Sequence, residues 1–106
     1  MSEPITKIYD SADKLVAKIK FGVVWTNPER IRLGAYDDEF IYDDDSSMIA
    51  KINSNHVLNI IGEEIGYVNE KYIFVSDKKV GKYFGSAAAG AAAVALIFNN
   101  KGAYGS

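Results

Sequence analysis

One unit of about 16 residues recurs five times. It starts at Ile8 (IYDSADKLVAKI), Val24 (VWTNPERIRLGAY), Ile41 (IYDDDSSMIAKI), Val57 (VLNIIGEEIGYV) and Ile73 (IFVSDKKVGKYF), at separations of 16, 17, 16 and 16 residues. A fixed period of this kind marks a repeat architecture in which no unit buries its apolar face alone. The repeats cover about residues 8–19, 24–36, 41–52, 57–68 and 73–84 of a single domain spanning 1–106.

Five columns carry the repeat. The first is β-branched: Ile8, Val24, Ile41, Val57, Ile73. The second is bulky: Tyr9, Trp25, Tyr42, Leu58, Phe74. After a polar turn comes an apolar residue (Val16, Leu33, Ile49, Ile65, Val80) followed by a small one (Ala17, Gly34, Ala50, Gly66, Gly81). A large residue returns two places later: Ile19, Tyr36, Ile52, Val68, Tyr83.

Each half-unit is a short run of β-branched and aromatic residues, which suits a strand. Turn formers separate the halves, at Ser11 to Lys14, Asn27-Pro28-Glu29, Asp43 to Ser47, Gly62-Glu63 and Ser76 to Lys79. Others separate the units, at Phe21-Gly22, Asp37 to Glu39, Asn53 to Asn55 and Asn69 to Lys71. The expected fold is all-β, with five hairpins arranged radially around an axis. A column restricted to Ala and Gly implies close approach near that axis. The aromatic column is expected to pack between neighbouring hairpins, as core, and loss of a repeat should unfold the domain.

The C-terminal element, 86–100, differs. Ala87 to Phe98 (AAAGAAAVALIF) favours a helix capped by Ser86 and ended by Asn99 or Asn100. A small-residue strand is the alternative, since Val94, Leu96 and Phe98 alternate with Ala95 and Ile97. Twelve helical residues reach about 18 Å, too short to span a membrane. The expected role is to cover an open end of the β structure.

These residues resemble a small bacterial family described as β-flower proteins, in four-fold and five-fold versions. The resemblance rests on Ile8-Tyr9-Asp10, Ile41-Tyr42-Asp43, Ile65-Gly66-Tyr67 and the stretched Leu33-Gly34-Ala35-Tyr36, and covers about residues 5 to 84. The Ala-rich end also looks like that family's. The resemblance implies a radial set of hairpins and brings no catalytic residue or cofactor with it. The third position is Asp at 10 and 43 but Thr26, Asn59 and Val75 elsewhere, a departure from identical copies.

Chemistry is sparse. There is no cysteine, which removes disulfides, thiolate metal sites and a Cys nucleophile. His56 is the sole histidine and reads as a solvated turn residue. Asp37, Asp38 and Glu39 with Asp43, Asp44 and Asp45 form the strongest acidic cluster. Calcium needs several oxygen ligands, yet turns at opposite ends of one strand could not share an ion, so a solvated surface is the favoured reading. Glu63, Glu64 and Glu29 make no recognisable acid/base pair, and no Gly-rich loop is placed for phosphate. No catalytic, cofactor or metal residue is assigned, and no cofactor is expected.

The net charge of −2 comes from 12 basic and 14 acidic residues with no evident basic stripe, so nucleic acid is not the expected partner. No signal peptide is read at Met1 to Pro4, and a cytoplasmic location is slightly favoured. The function expected is a non-catalytic structural or binding module presenting turns on a rigid β scaffold. The alternative is a membrane- or partner-attached domain that uses 87–98, flanked by Lys82 and Lys101, for self-association or a protein partner. An enzyme is the least favoured reading.

Overall fold

The computed structural model describes residues 5–27 and 29–98. Pro28, the Asn99 and Asn100 helix stop and Lys101 lie outside the described residues. Ten strands follow one another as β1 (Thr6–Asp10), β2 (Leu15–Lys20), β3 (Val23–Thr26), β4 (Arg32–Tyr36), β5 (Phe40–Asp43), β6 (Met48–Asn53), β7 (His56–Asn59), β8 (Glu64–Asn69), β9 (Tyr72–Val75) and β10 (Lys78–Phe84). Each pairs antiparallel with the next, and β10 pairs with β1, so the sheet closes into a barrel. Closure leaves no strand edge. Each repeat contributes one hairpin. The turns within repeats therefore ring one rim of the barrel, and the turns between repeats ring the other.

The pairing register explains the columns. Every first-column residue lies opposite the small residue of its own unit: Ile8 and Ala17, Val24 and Gly34, Ile41 and Ala50, Val57 and Gly66, Ile73 and Gly81. The apolar residue just before each small one is skipped in the register. Tyr9, for example, pairs with Leu15 while Ile8 pairs with Ala17, leaving Val16 as a bulge. The bulge lets two consecutive residues face inward where strict alternation would turn one of them out. All five bulge residues pack against the core.

The third position of each unit holds the turns. Asp10 Oδ1 accepts the N–H groups of Ala12 and Lys14 at 2.9 and 3.0 Å. Asp43 does the same for Asp45 and Ser47, and Asn59 for Ile61 and Glu63. Thr26 Oγ1 accepts from Ile31 at 2.8 Å. The departures at Thr26 and Asn59 thus keep the chemistry of Asp. Val75 has no acceptor, and its hairpin instead closes through a two-residue turn at Ser76 and Asp77, both with positive φ (53° and 63°).

Eight strands make a barrel that side chains alone can fill. Ten strands leave a wider lumen, and the C-terminal segment occupies it. Helix α1 (Ala87–Ala93) runs into a π-helical turn, Val94–Phe98, and residues 89–97 are buried. Gly85, at φ +143°, turns the chain inward from β10; a Cβ there would strike Thr6. Ser86 caps α1 by accepting from the Ala89 N–H at 3.2 Å, while its own N–H donates to Thr6 Oγ1 at 3.0 Å. The helix forms as expected, but it fills the barrel rather than covering an open end.

Wall and helix are matched in size where glycines meet large side chains. Where the wall carries the large column, at Tyr83, the helix carries Gly90, whose missing Cβ would lie 2.7 Å from the Tyr83 ring. Where the wall carries the small column, the helix is large: Leu96 meets Gly34, Val94 meets Gly66 and Phe98 meets Gly81. The Ala/Gly column therefore does face a crowded axis, and what crowds it is this segment together with the neighbouring strand's carbonyls.

The aromatic column does not form core. With the first column pointing inward, the second must point outward. Neighbouring units still meet through it: Phe74 stacks on Tyr67 with ring centroids 4.8 Å apart, and Tyr9 meets Phe84 edge-on at 5.6 Å.

Candidate functional site

Most of the polar residues singled out from sequence hold local structure. Asp37 and Asp43 stand at opposite ends of β5, so the two acidic turns are apart. Asp37 Oδ1 accepts the Glu39 and Phe40 N–H groups and Oδ2 accepts the Tyr42 hydroxyl, which hold its carboxyl below the usual carboxylate range. Asp44 pairs with Arg32 at 2.7 Å. His56 Nδ1 lies 2.8 Å from Glu64 Oε1 on the barrel surface. Glu63 accepts from the Asn59 amide at 3.0 Å, and Glu29 is exposed. Among the described residues, no three His, Cys, Asp or Glu side chains converge as metal ligands. No helix of the described chain is long and apolar enough to cross a membrane.

A different constellation lies on the outer wall of β1 to β3. Trp25, 38% exposed, and the exposed Ile5 lie in a shallow groove of about 540 Å³ whose lining includes Lys18, Lys20 and Arg30. Lys18 is directly across the strand pair from Trp25, and Lys7 is across from Lys18. Lys20 Nζ stands 5.1 Å from the centre of the exposed Phe21 ring at the hairpin tip. The salt bridges among the described residues join Arg32 to Asp44, His56 to Glu64 and Lys82 to Asp13, leaving the groove's three cations aside. Among the described residues, no carboxylate lines the groove.

Charge is divided across the barrel. Residues 5–30 and 70–84, which adjoin through the β1–β10 pair, hold nine Lys or Arg against five Asp or Glu; residues 31–69 hold two against eight. A net charge near zero thus conceals one basic side and one acidic side. The sequence did carry this signal. The two-residue turn at Phe21-Gly22 fixes Lys20 opposite Val23 and Lys18 opposite Trp25, so Lys18-x-Lys20 and Trp25 must share the outer face.

A second outer feature stands half-way round the ring. The turn after β7 presents Ile60 and Ile61 at 60% and 75% exposure, beside Glu63 and Glu64. At the matching sequence positions the other units carry Ser11-Ala12, Asn27-Pro28, Asp44-Asp45 and Ser76-Asp77. Asn59 already holds this turn through backbone N–H groups, so the two isoleucines are not needed to form it.

Compared with family models, curated proteins and solved structures, the chain matches none.

Proposed function

We propose that this chain is a non-catalytic binding module of the β-flower type, a filled barrel that holds an acidic ligand against Trp25 on its outer wall. The observation that carries the reading is the convergence of Lys18, Lys20 and Arg30 on an exposed Trp, with no carboxylate among the described residues of the lining. Cations outside the salt bridges of the described residues, gathered around an aromatic surface, favour a ligand that supplies both negative charge and apolar area. The radial order of five hairpins supports the β-flower resemblance. A lumen filled by residues 89–97 leaves the outer wall and the rims as the surfaces for binding, which also disfavours attachment through 87–98.

Trp25 is the sole tryptophan, so its fluorescence reports on the groove directly. Poly-L-glutamate is expected to change that emission saturably, with the effect fading in high salt and absent in a K18E/K20E variant. An unchanged emission in the wild-type chain at low salt would overturn the reading.

A further inference from the structure

The groove and the Ile60–Ile61 turn are complementary, and the fold places them on opposite sides of the same barrel. The groove lies over β2 and β3 and the turn joins β7 to β8, five strands away in a ring of ten. One feature is an apolar floor rimmed by three cations. The other is an apolar tip backed by Glu63 and Glu64. Both carboxylates are held in place, Glu63 by Asn59 and Glu64 by His56, so the tip offers its charge in a fixed geometry.

From this pairing we propose that the acidic ligand of the groove is a second copy of this chain, which inserts its Ile60–Ile61 turn over Trp25 and sets Glu63 and Glu64 against Lys18, Lys20 and Arg30. The inference rests on the groove reading above. Three observations support the second copy as the occupant. The charge division lets the acidic side of one barrel face the basic side of the next. The apolar tip appears in one repeat of five, although nothing in the turn's hydrogen bonding requires it. The small net charge of −2 leaves little overall repulsion between copies.

The contact is heterologous: each copy uses one surface to donate and a different one to accept. Such contacts grow as open arrays unless their rotation closes a ring. With donor and acceptor half a turn apart, a copy bound at its groove still offers its own tip, so growth should continue past two copies.

Sedimentation of the full chain across a concentration series tests this. The wild-type mass is expected to rise from the 11.6 kDa monomer through successive multiples at low ionic strength. It should return to the monomer in about 0.5 M salt, where screening shortens to a few Å. I60S/I61S removes the donor and K18E/K20E the acceptor. Each alone is expected to remain monomeric with wild-type circular dichroism. Their mixture should form a one-to-one complex and stop, because one intact tip then meets one intact groove. A wild-type chain that stays monomeric while its Trp25 emission still answers poly-L-glutamate would overturn self-association and leave the groove reading standing. Association undiminished in I60S/I61S would overturn it as well. Loss of both association and the fluorescence response would remove both readings together.

Discussion

Val94 fills the space that Gly66 leaves: a Cβ built on Gly66 would lie 2.7 Å from Val94 Cγ1 and would also strike the Phe74 carbonyl oxygen. The same relationship holds between Gly34 and Leu96 and between Gly81 and Phe98. Gly66 takes no unusual φ, so the requirement for glycine here is one of space. Five strand pairs and one inserted helix share a single interior, and neither could keep its sequence without the other.

Gly66→Ala should therefore destabilise the barrel by about 1–3 kcal/mol, the usual range for overpacking a dense core. Shortening the partner in a Gly66→Ala/Val94→Ala double variant should recover only part of that loss, because the Phe74 carbonyl remains in the way. Urea midpoints of the two singles and the double close the cycle. Strict additivity would mean that Gly66 and Val94 do not share space.

Gly90→Ala reverses a familiar sign. Replacing glycine inside a helix normally stabilises by up to about 1 kcal/mol. At position 90 the added methyl meets Cδ1 and Cγ of Tyr83 at 2.7 and 2.9 Å. Tyr83 has little freedom to retreat, since it is buried and its hydroxyl donates to the Glu70 carbonyl. The variant should melt below the wild type in a thermal scan, and a higher melting temperature would show that the Tyr83 ring gives way.

Much of the fold was legible because the repeat is its own control. The five-fold columns fixed strands, turns and the inward small residues, and the third position of the unit could have been read as turn-holding from Asp10, Asp43 and Asn59 together. The bulges hid in plain view as paired apolar and small residues, Val16-Ala17 and its counterparts. Closure was harder. It depends on β1 meeting β10 across 71 residues or more, a contact that no local pattern announces. The destination of Ala87 to Phe98 was equally hidden, since an apolar segment reads alike whether it covers, attaches or fills. Only the lumen of a ten-strand barrel decides between them. The groove went unread because its cations are spread over β2 and the turn after β3 and are outweighed by acids elsewhere in the chain.

Asn59→Ala should cost about 1–2 kcal/mol, because the turn loses the side-chain acceptor for the Ile61 and Glu63 N–H groups. Asp43→Ala should cost a similar amount for the same reason. Asp45→Ala removes a neighbouring exposed carboxylate that accepts none of these bonds and should change stability by less than about 0.5 kcal/mol. Equal urea midpoints for Asp43→Ala and Asp45→Ala would deny the third position its turn-holding role.

Acid should weaken the barrel in a defined window. Lys82 lowers the Asp13 carboxyl, mainly through its hydrogen bond, and backbone N–H groups from Glu39 and Phe40 lower Asp37. A carboxylate lowered in the folded state binds fewer protons there than in the unfolded chain. Its contribution is whole above the ordinary value of 3.8 and disappears as the pH falls through the lowered value. Asp37→Asn should therefore flatten the loss of stability below about pH 4, while leaving the neutral plateau only slightly lower. A wild-type acid limb in Asp37→Asn, followed by urea midpoints against pH, would remove Asp37 from the cause.

Ending the chain at Gly85 should abolish cooperative folding. The truncated barrel would keep all ten strands and their pairing, but its inward residues would line an unfilled lumen. Buried Ile8, Val24, Ile41, Val57 and Ile73 would lose the helix side of their packing, and empty volume of that size costs more than a small domain's whole stability. Near-ultraviolet circular dichroism from Tyr83 and the other aromatics should collapse, with a broad, shallow urea transition. Adding residues 86–106 as a separate peptide should restore the signal, because the filler acts through shape and its covalent link at Gly85 only raises its effective concentration. A truncated chain that folds cooperatively by itself would show that the wall is self-sufficient and the helix a passenger.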